Sequence, residues 1–84
     1  MKKDKSFDYF CQNMKYLRQK KSLSQKEMAK ILNISVKTLA KIESGILPPR
    51  LNANIIGAIR VTFNVPPTVI FSSKFQEYYI SEDH

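Results

Sequence analysis

The sequence predicts an all-α domain of five helices, on three observations. Apolar residues recur at spacings of three and four in successive stretches, which is helical periodicity. Serine or asparagine stands where several of these stretches begin, the position at which a side-chain oxygen satisfies the first unpaired amides of a helix. The four prolines form two pairs, Pro48-Pro49 and Pro66-Pro67, and both fall at joints between helices rather than inside them.

The first helix spans about Phe7 to Lys21, where Phe10, Met14 and Leu17 recur at four and three. Tyr9, Cys11 and Tyr16 widen this stripe, while Lys15 and Lys20 belong to its other side. The second begins at Ser24. Ser24 and Glu27, three apart, form a capping box, with Leu23 and Met28 as its hydrophobic staple. Its apolar side, Met28, Ala29, Ile31 and Leu32, stops at Asn33, one of the few non-glycine residues that tolerates the left-handed conformation of a sharp turn. Ser35 then caps a third helix reaching about Ser44, with Ile34 and Leu39 as staple and Gly45 suited to the left-handed position beyond its end.

Across the loop of Pro48 and Pro49, Asn52 is placed to cap a fourth helix, with Leu51 and Ile56 as staple. Ile55, Ile56, Ile59 and Phe63 form its buried side. Gly57, a poor helix former, suggests a close backbone approach there. Asn64-Val65 ends this helix, and Pro67 opens a short fifth one to about Ser72, with Val69 and Phe71 closing the core. In the tail, Phe75, Tyr78 and Tyr79 make an aromatic edge if helical, either covering the end of the core or facing a second subunit. Three segments result: a flexible basic terminus at 1–6, a folded domain at 7–72, and an aromatic tail at 73–84 that is a candidate dimer contact.

Eighty-four residues suffice for one domain but not for a separate sensory or catalytic unit. The formal net charge is +7, and its placement is telling. From residue 15 to residue 50, nine lysines and arginines stand against Glu27 and Glu43, which accounts for the whole +7. A basic middle on a helical domain is the electrostatic footprint of a polyphosphate partner, although a merely solvated lysine face has the same composition. The one cysteine, Cys11, excludes an internal disulfide and offers no metal cluster. It fits a small apolar position in a reducing cytosol. No hydrophobic stretch suits a signal peptide or a membrane span. No histidine pairs with a nucleophile in a motif, no glycine-rich phosphate loop is present, and acids are too few for a metal site, so neither an enzyme nor a cofactor is expected.

The second and third helices with their tight turn make a helix-turn-helix. On the third, Leu39 and Ile42 point toward a core, while Val36, Lys37, Ala40, Lys41 and Ser44 lie outward without an acid among them. The segment L-S-Q-K-E-M-A-K-I-L-N-I-S-V-K-T-L-A-K-I-E-S-G resembles the helix-turn-helix of the phage Cro and repressor family of transcription regulators, with the likeness extending from about Tyr9 to Phe71. Asn33 stands where many relatives have glycine, and the loop from Ile46 to Leu51 is about two residues longer than usual. The resemblance implies a lambda-repressor-like domain that binds double-stranded DNA in the cytoplasm, bacterial or phage-encoded and nucleoid-associated, as a homodimer. The absence of an apolar span and the small size lead to the expectation of no membrane and no small-molecule ligand. The resemblance also implies that Arg18 pairs with Glu43. The alternative is an exposed arginine near phosphate.

A major groove admits one helix, and residues near its start reach deepest. Val36 suits a thymine methyl, or else caps a bland surface. Lys37 suits guanine O6 and N7, Lys41 a base or flanking phosphate, and Thr38 either. Gln25 at the first turn of the second helix matches the glutamine that binds the DNA backbone in the family. Ser35, Lys26, Ser44 and Arg50 are further phosphate candidates. A competing reading is an antitoxin or adaptor that uses the same fold mainly to hold a protein partner. It expects an exposed apolar patch from Phe75 to Ile80.

Overall fold

The computed structural model describes residues 5–46 and 53–77. Its elements are α1 (Ser6–Lys20), α2 (Gln25–Leu32), α3 (Val36–Glu43), α4 (Ala53–Phe63) and α5 (Pro67–Ile70), with one further helical turn at 75–77. No strand occurs among the described residues. The Pro48-Pro49 loop, Arg50, the Asn52 cap with its Leu51 partner, and Tyr78 to His84 lie outside them.

Local chemistry fixes the helix ends. Both halves of the capping box are formed: the Glu27 amide donates to Ser24 Oγ at 3.0 Å, and the Ser24 amide donates to Glu27 Oε1 at 2.8 Å. The Ser24 amide, and secondarily the Ser24 side chain, hold the Glu27 carboxyl below its ordinary value, because these bonds favour the charged form. At α3 the Thr38 amide donates to Ser35 Oγ at 3.0 Å. Left-handed residues follow each of the first four helices: Ser22 (φ 55°), Asn33 (φ 58°), Gly45 (φ 97°) and Asn64 (φ 56°). Asparagine and glycine visit this region at low cost. Ser22 is not marked in that way by its residue type, and the chain there is secured instead by the Leu23 amide donating to the Arg18 carbonyl at 3.1 Å.

Helix α1 packs on α3 and α5, and α2 on α3 and α4. They enclose a core that includes Phe10, Met14, Leu17, Met28, Leu32, Leu39, Ile42, Ile55, Ile59 and Ile70. Ile56, expected inside, is only partly buried. The lower end departs from expectation in more ways. Helix α5 stops at Ile70 rather than Ser72. Ile70 is the fully buried residue there, while Val69 and Phe71 pack at the edge. Phe71 stacks on Phe10 with centroids 4.9 Å apart, and Phe7 meets it edge-on at 5.9 Å. Val65, expected only to end a helix, is fully buried, and so is Phe75, which meets Tyr16 edge-on at 6.0 Å. Phe75 therefore belongs to the core and not to an exposed apolar patch.

Two polar ties join segments distant in sequence. Asn13, buried on α1, donates from Nδ2 to the carbonyls of Ile70 at 2.8 Å and Ser72 at 2.9 Å. Its side chain thereby satisfies acceptors at the end of α5, where a helix leaves carbonyls unpaired. Arg18 joins α1 to the end of α3: Nε donates to Glu43 Oε2 at 2.6 Å, Nη2 to Glu43 Oε1 at 3.0 Å, and Nη1 to the Leu23 carbonyl at 2.9 Å. The Glu43 side chain is 3% exposed and that of Arg18 14%, so this bidentate pair is largely shielded from water.

Among the described residues Gly57 does not mark a close approach, since a Cβ built there meets none of their atoms within 4 Å. Gly57→Ala is accordingly expected to raise unfolding free energy by about 1 kcal/mol, checked by urea denaturation. Asn13→Ala strands two carbonyls and should lower it by about 1–3 kcal/mol. Arg18→Met alone leaves the Glu43 carboxylate without its cationic partner and should cost about 3 kcal/mol, whereas Arg18→Met with Glu43→Leu should recover most of that loss. A double-mutant cycle with no coupling would show the pair to be idle.

Candidate nucleic-acid interface

Helix α3 has eight residues and buries Leu39 and Ile42 completely. With those two inward, the 100° turn per residue sends Lys37, Lys41 and Ser44 to the opposite side, and all three are exposed. Val36 opens the helix with 42% of its surface exposed. Thr38 and Ala40 are half-buried on the two flanks. The acid of this helix, Glu43, faces inward against Arg18. The outward surface is therefore cationic and apolar, with no carboxylate.

The hydroxyls of this region are engaged with the chain itself. Ser35 Oγ donates to Thr38 Oγ1 at 2.8 Å as well as accepting from the Thr38 amide. Ser44 Oγ donates to the Lys41 carbonyl at 2.8 Å. In these rotamers neither serine directs a proton outward, so a phosphate contact from either requires its side chain to turn. Gln25, half-buried at the start of α2, donates from Nε2 to Glu43 Oε1 at 3.2 Å. It thus joins the Arg18 pair and has one amide proton left for another acceptor. That bond was not legible in the sequence, because Gln25 and Glu43 are far apart along the chain and only the turn brings them together. Lys26 beside it is exposed.

The structure thus gathers Gln25, Lys26, Val36, Lys37, Lys41 and Ser44 on and beside one helix pair, with Ser35 and Thr38 at its first turn. Arg50 lies outside the described residues. Lys20 is elsewhere, its Nζ 5.8 Å from the centroid of the Tyr16 ring. Between α1 and the end of α3 lies an open cleft of about 230 Å³ lined by Asp8, Cys11, Gln12, Glu43, Ser44 and Gly45. Burial, and secondarily Asp8, push the Cys11 thiol above its ordinary value, which makes it a poor nucleophile. Among the described residues no group of three or more His, Cys, Asp or Glu is placed to hold a metal ion, and no helix is long and apolar enough to cross a membrane.

The arrangement of a short capped helix, turned outward and held against its predecessor by a sharp turn, has a counterpart among known families. A helix-turn-helix family model matches residues 14–70, which includes α2, the turn and α3. No curated protein and no solved structure matches the chain. The matched span exceeds half of the chain, and the chain belongs to the helix-turn-helix family of Cro and repressor type, a family of DNA-binding regulators.

Proposed function

We propose that this chain is a sequence-specific double-stranded DNA-binding regulator that represses transcription by occupying its site, with α3 in the major groove. The observation that carries this reading is the outward surface of α3, where Val36, Lys37 and Lys41 are exposed while Glu43 is withdrawn into the Arg18 pair. A surface of that kind gains on meeting phosphates and base edges and meets no repulsion from its own acids.

The side chains divide into two tasks. Lys37 and Lys41 reach base edges, Lys37 by donating to guanine O6 and N7, and Val36 meets a thymine methyl. Thr38 contacts a base or the neighbouring backbone. Gln25 and Lys26, at the positive end of α2, take a phosphate, and Ser35, Ser44 and Arg50 extend the backbone contacts. Phosphate contacts set register without conveying sequence. One such module covers few base pairs, so a homodimer reading half-sites about 34 Å apart on one DNA face completes the reading.

Titrations of purified protein on a matched and a scrambled duplex test this division. Log affinity should fall with log salt at about −0.9 per phosphate contacted. Lys37→Ala should weaken the matched duplex by about tenfold and the scrambled one far less. Lys26→Ala should weaken both alike and reduce the salt slope by about 1. Equal losses on both duplexes for both variants would contradict the assignment, and absence of binding in dilute buffer would overturn the proposal.

A further inference from the structure

We infer that α3 carries an apolar lane, Val36 with Ala40, that reads the 5-methyl groups of two pyrimidines, making the chain responsive to the methyl group itself. This rests on the DNA-binding reading above and assigns Ala40 a part in it.

The lane follows from the register of the helix. Val36 and Ala40 are four apart and share one flank, and Glu43, three further on, lies on the same flank. That flank is located by contact, because Glu43 accepts from Arg18 of α1 and from Gln25 of α2. The lane therefore runs along the side of α3 facing the start of α2, and it ends at a carboxylate that is 3% exposed and bonded within the chain. Lys37 and Lys41 form a parallel cationic lane beside it, and the hydroxyl pair of Ser35 and Thr38 lies on the opposite flank. Along the apolar lane neither side chain has a donor or acceptor. It can distinguish bases only by shape and by apolar contact.

In the major groove the apolar feature is the C5 methyl of thymine. Val36 and Ala40 are separated by about 6 Å along the helix axis, or roughly two base steps. Two methyls at about that spacing are what the lane fits. A surface without hydrogen-bonding atoms does not sense O4 of thymine against N4 of cytosine, so 5-methylcytosine satisfies it as thymine does and cytosine does not.

The test uses duplexes selected from a random library by the full chain. Thymine is replaced by uracil one position at a time, which deletes a methyl and leaves the base pair intact. Uracil at each of two thymines near that spacing should lower affinity about fourfold, the worth of one buried methyl-sized group, and uracil elsewhere should have no effect. At those same positions a 5-methylcytosine pair should bind about fourfold tighter than a cytosine pair. Val36→Ser should erase the uracil penalty at one thymine and Ala40→Ser at the other, with thermal unfolding confirming that both variants fold. Selection of a preferred duplex with no uracil penalty at any thymine would overturn the lane and leave the DNA reading standing. Failure to select any duplex would overturn both.

Discussion

The bond between Arg18 and Glu43 is the constraint on which the arrangement depends. A helix of eight residues is far below the length at which an isolated helix is stable in water, so α3 owes its existence and its direction to its neighbours. Ser35 fixes where it starts, Leu39 and Ile42 anchor its middle in the core, and Arg18 holds its last residue. The guanidinium is a planar fork that matches a carboxylate on two atoms, so it sets the rotation of α3 about its axis as well as its distance from α1. That rotation decides which residues face outward. The same contact removes the only negative charge of α3 from the surface and reaches, through Gln25, the first turn of α2. Position, charge and the junction of the two helices thus depend on one cluster.

Much of this was legible in the sequence where the determinants are local. The capping box at Ser24 and Glu27, the serine at 35 and the asparagine at 33 each act over three or four residues, and the helix boundaries they imply agree with the structure to within a residue. The outward residues of α3 were legible because two buried positions fix the phase of a short helix. What escaped depends on distance or on short elements. Asn13 interrupts no apolar pattern and finds its acceptors more than fifty residues away. A four-residue helix has too little length for a period, so Ile70 was not distinguishable from Val69 and Phe71. Val65, between asparagine and proline, and Phe75, beyond the last clear helix, bear no local mark of burial. Gly57 differs in kind: low helix propensity does not by itself imply a neighbour, and among the described residues the space beside it is open.

The same contrast holds at the interface. Charge and exposure along α3 follow from helical phase, whereas the internal bonds of Ser35, Ser44 and Gln25 become visible only when the turn has folded. Those bonds give the hydroxyls and the amide defined directions before any partner arrives. The lysines of this surface are long and exposed, and in the proposed function they add, to the base contacts of Lys37 and Lys41, a field that draws a polyanion toward the helix pair.

The most direct measurement is the change in backbone amide resonances of the isotope-labelled chain as a duplex is added. Val36 to Ser44, with Gln25 and Lys26, should shift strongly, while the amides of α4 and α5 remain near their free positions. Shifts concentrated on α4 or α5, with those of α3 unchanged, would contradict a groove-reading role for α3.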